Sequence, residues 1–142
     1  TTIIRGEVKM KKHVTQMTKR EVKYLEDRFK SLPQSRWSVN TYSKKRAIQR
    51  GVDMTVFRSL WTDGFDIIEF HKHDQKQENR VLLRTHLTDS KDNQVCAVFN
   101  FDTLEITTIY LNWRKNKHDR LVWSEYDSSI DILQEFKTRK AV

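Results

Sequence analysis

The chain has 142 residues, of which 27 are Lys or Arg and 19 are Asp or Glu, so its formal net charge is +8. Its seven Phe, four Tyr and four Trp exclude a disordered polymer, because disordered segments are poor in aromatic residues. A single cysteine excludes an internal disulfide framework and a cysteine-based zinc site, which fits the reducing cytoplasm in which we expect the protein. No apolar run approaches the ~20 residues of a membrane-spanning helix.

The positive charge is concentrated in the first 60 residues. They hold 15 Lys and Arg against five acids, a balance of +10, whereas residues 61–142 hold 12 against 14, a balance of −2. Charge concentrated on one part of a molecule produces a directional field. Such a field attracts a partner with dense negative charge, and the simplest candidate is nucleic acid.

The chain begins with a predicted arm and a predicted helix. We expect residues 1–17 to form a mobile or weakly docked basic arm. Thr18 and Glu21 have the three-residue spacing of a capping box, which marks the start of a helix. Apolar residues then recur with the helical period as far as Leu32, and Pro33 ends the helix.

Two further helices are predicted before the composition changes. One runs from about Thr41 to Arg50, is strongly basic and is ended by Gly51. The other is capped by Asp53 and runs to about Trp61. Both are short, and the second has its apolar residues on one side.

The remainder predicts a sheet and a last helix. Four segments rich in β-branched and aromatic residues are separated by short polar turns, which is typical of an antiparallel meander. These predicted strands are Asp66–His73, Asn79–Leu87, Gln94–Phe101 and Glu105–Trp113. A C-terminal helix from Asp127 to Arg139 follows. The predicted fold class is therefore α+β, with N-terminal helices, a four-stranded antiparallel meander sheet and a C-terminal helix, and we expect residues 18–142 to be one domain.

The basic second helix is the main candidate for contact with nucleic acid. Arg46 and Arg50 are four residues apart, so both lie on one face of the helix. Lys44 and Lys45 stand beside them in the sequence. A guanidinium binds phosphate oxygens two at a time and stays charged, so we expect these four side chains to bind a nucleic-acid backbone.

Residues 42–52 read Tyr-Ser-Lys-Lys-Arg-Ala-Ile-Gln-Arg-Gly-Val, and a short helix and an Arg-containing strand follow. Over about residues 38–112 this order resembles the BrnT/RelE-like superfamily, in which some members read His-x3-Arg-x3-Arg-Gly-Ile. Arg46, Arg50, Gly51 and Val52 fall on the pattern, whereas Tyr42 stands where the family has His. The resemblance implies an RNA-binding sheet surface. Active members of the family cut RNA without a metal, and toxin members pair with an antitoxin.

Such cleavage needs a 2′-OH held in line with the adjacent phosphate and positive charge near the phosphoryl oxygens. Arg80, Arg84 and His86 alternate onto one face of a predicted strand. We expect Arg84 to meet the transition-state charge and Arg80 to hold the backbone. Either His86 or His71 would transfer the proton, because imidazole titrates near neutrality. Alternatively, both arginines only solvate the outside of the sheet.

A metal site is an alternative role for the histidines. His71 and His73 lie on the same face of one strand, and His86 on the next strand could complete a set of three ligands. No pattern of carboxylates accompanies them. We therefore expect neither a metal nor another cofactor.

Aromatic residues flank the last strand and the basic loop that follows it. Aromatic rings beside arginine are a common way to hold single-stranded nucleic acid, and we count Arg114 of this loop among the contacts. The aromatic residues are Tyr110, Trp113, Trp123 and Tyr126. Tryptophan side chains more often pack in a protein core than bind a ligand, so we expect Trp113 or Trp123 to be buried.

These features favour a protein directed at nucleic acid, RNA rather than DNA, which could act as a metal-independent endoribonuclease. One alternative is a non-catalytic, phage-encoded binder or inhibitor of a nucleic-acid enzyme, which Tyr42 in place of His favours. Another is a helix-turn-helix DNA-binding protein, with Ala47 as the small residue of its first helix and Gly51 at its turn. Against the latter, its recognition helix would have Arg58 as its one basic residue. The sequence identifies neither the partner nor the oligomeric state.

Overall fold

A computed structural model describes residues 10–72, 77–118 and 121–140 of the chain, and within these ranges it has four α-helices and five β-strands. The helices are α1 (Lys19–Lys30), α2 (Thr41–Gln49), α3 (Met54–Arg58) and α4 (Ile132–Lys140). The strands are β1 (Lys11–His13), β2 (Phe65–Lys72), β3 (Asn79–Thr85), β4 (Asn93–Asn100) and β5 (Glu105–Trp113). This confirms the α+β class, with helices first, then an antiparallel sheet, then a helix.

The sheet has five strands in the order β1-β2-β3-β4-β5, one more than predicted. The meander β2 to β5 agrees with the prediction, and the fifth strand is β1, which pairs antiparallel with Glu69–His71 of β2. The expectation of a loose arm is therefore wrong for residues 10–17, in which Lys12 and His13 are buried. Residues 1–9 lie outside the described residues.

One face of the sheet, the helix face, holds the main core. The rings of Trp37, Trp61, Phe65 and Phe99 lie around Phe29 of α1, with centroids 4.9 to 6.1 Å away. Phe57 of α3 and Phe136 of α4 are buried in the same cluster. Stacked and edge-on aromatic pairs of this kind add to the burial of apolar surface.

Helix α2 lies beside the outer edge of β5. The Ser43 hydroxyl donates to the carbonyl of Thr107 at 3.1 Å, and Nη1 of Arg50 donates to that of Ile109 at 2.9 Å. These bonds satisfy edge carbonyls that could otherwise pair with another chain. Gly51 ends the helix with a φ of 75°, a left-handed conformation that glycine adopts without a steric penalty.

Two helix boundaries bear on the predictions. The predicted capping box forms, because Thr18 Oγ1 accepts from the backbone N–H of Glu21 at 3.1 Å and Glu21 Oε1 accepts from that of Thr18 at 2.9 Å. The C-terminal helix begins at Ile132 and not at Asp127. Asp127 instead forms a turn in which its carboxylate accepts from the backbone of Ser129 at 2.9 Å. None of the helices in the described part of the chain is long and apolar enough to cross a membrane.

A buried ion pair joins β1, α1 and the start of α4. Nζ of Lys12 donates to both carboxylate oxygens of Glu21, at 2.8 and 2.9 Å, and to the carbonyl of Ile130 at 2.7 Å. Oε2 of Glu21 also accepts from the backbone N–H of Ile132 at 3.0 Å. Burial alone would raise the pKa of Glu21, but these hydrogen bonds, the one from Thr18 and the charge of Lys12 lower it.

We predict that Lys12→Met lowers the free energy of unfolding by about 3–5 kcal/mol, because Glu21 is then left as an unpaired buried charge. The control Lys23→Met removes an exposed ion pair with Asp27 and should change stability by less than about 1 kcal/mol. Urea unfolding at pH 7 measures both variants. Equal losses in the two would contradict the role of the buried pair.

The same pair predicts a direction for pH dependence. Because the folded-state pKa of Glu21 lies below its ordinary value of 4.5, its stabilising effect is complete above that pH and is lost as the pH falls through the lowered value. Glu21→Gln should therefore flatten the loss of stability between about pH 5 and pH 3. Urea unfolding across that range measures the slope, and an unchanged slope in the variant would count against the pair.

Candidate nucleic-acid interface and sheet-face site

Helix α2 and the edge of β5 border a small cleft of about 60 Å³. We call it the α2–β5 groove. Its lining residues are Tyr42, Ser43, Arg46, Arg50, Thr107, Thr108 and Ile109. Arg46 and Arg50 therefore share one face of α2, as predicted, and Tyr42 joins them one turn earlier.

Three side chains on the α2 side of the groove are accessible to solvent, and two of them are positively charged. Tyr42 is 70% exposed, Arg50 is exposed and Arg46 is half-buried. Among the described residues, no carboxylate lies within 4 Å of the charged groups of Lys44, Lys45, Arg46 or Arg50, and the sequence has no acid from residue 40 to residue 52. Four cations without a carboxylate partner form a local positive field.

The sheet face opposite the helices, here called the second face, carries most of the predicted catalytic residues. His71 of β2 lies directly across from Arg80 of β3, whereas Arg84 lies across from Asp66. Arg80 and Arg84 are four positions apart along the strand, a distance of about 13 Å. The structure thus brings His71 and Arg80 together and leaves Arg84 and His86 at the other end, so the predicted catalytic set does not converge.

Arg84 is a structural residue. It is 4% exposed, so it neither solvates the outer surface nor reaches a bound phosphate. Nε donates to Gln94 at 2.5 Å, Nη1 to the carbonyl of Asn116 and to His118 Nδ1, and Nη2 to the carbonyls of Trp113 and Arg114 at 3.0 and 3.2 Å. All five guanidinium N–H groups are therefore engaged by the protein itself.

These bonds hold the chain that follows β5 against the second face. His118 has a φ of 58° and is half-buried beside Arg84, and both burial and that positive charge lower its pKa. Further on, Tyr126 pairs with Lys11 at the opposite edge of the sheet. We call residues 114–118 and 121–126 the covering segment.

The best-formed polar site on this face centres on Glu69. His71 Nε2 lies 2.5 Å from one carboxylate oxygen, and the Tyr126 hydroxyl donates to the other. Burial alone would raise the pKa of Glu69, but the His71 hydrogen bond and charge, together with Tyr126 and Lys11, lower it to about 2. An ionised carboxylate thus orients the imidazole of His71, whose Nδ1 has no bond from a described residue.

His13 lies next to this site from β1, directly across from Glu69. Its Nδ1 accepts from the backbone N–H of Thr15 at 3.2 Å, and its Nε2 is buried without a hydrogen-bond partner. The rings of Trp123 and Tyr126 stand edge-on to the imidazole at 6.3 and 6.1 Å between centroids. The imidazole of His13 therefore packs against aromatic rings and is not accessible to a substrate.

The other predicted contacts are less available than those of the groove. Arg80 pairs with Glu78 at 3.2 Å, and Arg114 binds both carboxylate oxygens of Asp92 at 2.8 and 3.0 Å. His86 is exposed and pairs with Asp66 at 3.0 Å. A phosphate would have to compete with these carboxylates for each side chain.

The prediction that Trp113 or Trp123 is buried is wrong. Trp113 is 54% exposed and Trp123 is 53% exposed. Trp113 ends the edge strand β5, where Lys115 stands over its ring at 5.7 Å, and Trp123 packs against the rings of Tyr126 and His13. Both rings are accessible to a stacking partner.

The described residues contain no group of three or more His, Cys, Asp or Glu side chains arranged to hold a metal ion. His73, one of the three histidines weighed as ligands, lies outside the described residues. No protein family, curated protein or solved structure matches the chain.

Sequence reasoning missed Glu69, His13 and His118, and it considered Tyr126 only as a ring that could stack on nucleic acid. The sequence did contain a signal for Glu69, because this residue interrupts the apolar run Ile67-Ile68-Glu69-Phe70 and lies two residues before His71. An acid inside a buried strand requires a partner. Tyr126 and His118 carry no local signal, since both meet the sheet through the course of the covering segment.

We predict that Arg84→Met destabilises the protein by about 2 kcal/mol or more, because the carbonyls of Trp113, Arg114 and Asn116 lose their donor. Amide hydrogen exchange should rise locally at residues 112–118. The control Arg114→Met removes an exposed ion pair and should change stability by less than about 1 kcal/mol. An Arg84→Met protein with unchanged stability and exchange would contradict the structural role.

Proposed function

We propose that the protein binds nucleic acid, in the first place RNA, through the α2–β5 groove. The observation that carries the proposal is the set of four cations at α2 that have no carboxylate partner among the described residues, two of which, Arg46 and Arg50, line the groove with the exposed ring of Tyr42. Arginine forks bind phosphates, and an exposed ring stacks on a base. The concentration of positive charge in the first 60 residues supports the same partner.

The geometry favours a single strand over a duplex read by a helix. Tyr42, Arg46 and Arg50 follow one another at intervals of one helical turn, about 6 Å, so they can meet successive groups of one strand. The helix-turn-helix alternative is less well supported. Its recognition helix, α3, has five residues, and two of them, Val56 and Phe57, are buried.

The test is binding of a mixed-sequence single-stranded RNA of 12 nucleotides by fluorescence anisotropy. If about four phosphates are neutralised, affinity should fall roughly 50-fold between about 50 and 200 mM salt. Lys45→Glu with Arg46→Glu should weaken binding at least about tenfold, because two attractions become repulsions. Arg50 is kept, since it also binds the edge of β5.

The matched control is Lys19→Glu with Lys23→Glu on α1, which changes the net charge equally at exposed sites away from the groove. It should weaken binding by less than about threefold. Equal losses in the two double variants would mean that only net charge matters, and the groove would be rejected. Tighter binding to DNA than to RNA would reject RNA as the favoured partner.

A second candidate, cleavage of RNA without a metal, is supported by the Glu69–His71 pair. Nδ1 of His71 would take the proton of a 2′-OH, the 2′-oxygen would form a bond to phosphorus, and the bond to the 5′-oxygen would break. That oxygen would leave with a proton from water, and the products would be a cyclic phosphate and a 5′-OH. Arg80, directly across from His71, is the nearest guanidinium to such a phosphate.

We predict that any cleavage persists in excess chelator and is abolished when the 2′-OH is replaced by hydrogen. His71→Ala should lower the rate about a hundredfold or more, as expected for loss of a general base. His86→Ala, which removes another histidine paired with a carboxylate, should leave it unchanged. Tight binding of RNA that stays intact would reject cleavage and favour the non-catalytic binder.

A further inference from the structure

We propose that single-stranded RNA held at the α2–β5 groove continues across the second face of the sheet, perpendicular to the strands. The inference rests on the proposed function and adds the course of the bound strand. Its path is a strip of five half-buried side chains, one from each strand. In order from β5 to β1 they are Thr108, Val98, Arg80, His71 and Lys11.

The strand register makes these five residues neighbours. Thr108 lies directly across from Val98, and Val98 lies across from Leu82, two residues from Arg80 on the same face of β3. Arg80 then lies across from His71, and His71 across from Lys11. Thr108 also lines the α2–β5 groove, so the strip begins where the groove ends.

The centre of the second face beside the strip is closed to a ligand. Leu82, Cys96 and Arg84 are at most 5% exposed, and Glu69 is 6% exposed. On this side the covering segment lies over Arg84 and places Tyr126 against Glu69. Towards the Arg84 end of the strands Asp66 is exposed and Gln94 and Tyr110 are half-buried, so the strip is one accessible path across all five strands and not the whole accessible surface of the face.

Acidic residues border the strip on the side that faces away from Arg84. The turns at that end of the sheet carry Glu78 and Asp102, and Glu105 begins β5 there. These carboxylates repel a phosphate backbone, whereas the strip carries Arg80, His71 and Lys11 towards β1 and the neutral side chains of Thr108 and Val98 towards the groove. Since Lys11, His71 and Arg80 each have a carboxylate partner, we expect most of the affinity to come from the groove.

The sheet sets the length of RNA involved. Four spacings of about 4.8 Å separate β5 from β1, which gives a path of about 19 Å. At about 3.4 Å per stacked nucleotide, and roughly twice that when extended, the path takes about three to six nucleotides. Affinity for oligouridylates should therefore rise with length beyond the two or three nucleotides of the groove and level off near eight.

The decisive test is a pair of substitutions at the centre of the strip. Val98→Lys should tighten and Val98→Glu should weaken the binding of a nine-nucleotide oligouridylate, each by about threefold or more, the effect of one charge beside a phosphate in water. Neither should change the binding of uridine dinucleotide, which is confined to the groove. The control pair Gln34→Lys and Gln34→Glu, exposed on the helix side of the sheet, should leave both affinities unchanged.

The possible results distinguish failure of the proposed path from failure of the proposed function. If the Val98 pair binds the long oligonucleotide like the unmodified protein while Lys45→Glu with Arg46→Glu weakens it, the path is overturned and the proposed function stands. If no variant alters binding, or no RNA binds, the proposed function itself fails. Should either Val98 variant fail to fold, Arg80→Gln, in the strip but outside the groove, should weaken binding of the nine-nucleotide oligouridylate and leave that of uridine dinucleotide unchanged.

Discussion

The architecture depends on the buried ion pair between Lys12 and Glu21. It places β1 at the edge of the sheet, and through Ile130 and Ile132 it positions the chain that enters α4. That placement has consequences on the opposite face. Because β1 is held, Lys11 lies beside His71, and because the chain before α4 is held, Tyr126 reaches Glu69. One pair on the helix face thus sets the geometry of the second face.

The basic residues fall into two groups, according to what accepts the hydrogen bonds that their side chains donate. Arg84 gives every N–H to the protein, and Arg50 gives one to the edge of β5, so both contribute to the fold. Lys44, Lys45 and Arg46 have no carboxylate partner among the described residues and remain available to an external anion. The positive charge therefore has two uses, and the part without carboxylate partners is the most available to an external anion.

Local signals in the sequence predicted the local structure well. The capping box at Thr18, the basic helix from Thr41 and the strand Glu105–Trp113 all follow from patterns within a few residues. Contacts between distant segments were not predictable in this way. Lys12 and Ile130 are 118 positions apart, and Tyr126 and Glu69 are 57 apart. For that reason β1, the burial of Arg84 and the Glu69 site were missed, although each uses residues with recognisable chemistry.

The central claim is that the α2–β5 groove is a nucleic-acid interface, and photocrosslinking tests it most directly. A single-stranded RNA containing 4-thiouridine would be irradiated with the protein at low salt, and the crosslinked peptides would be identified by mass spectrometry. We predict crosslinks at Tyr42 and in the peptide that contains Thr107 and Thr108, which compete away with unlabelled RNA. Competable crosslinks confined to α1 or to the helix face of the sheet would contradict the account.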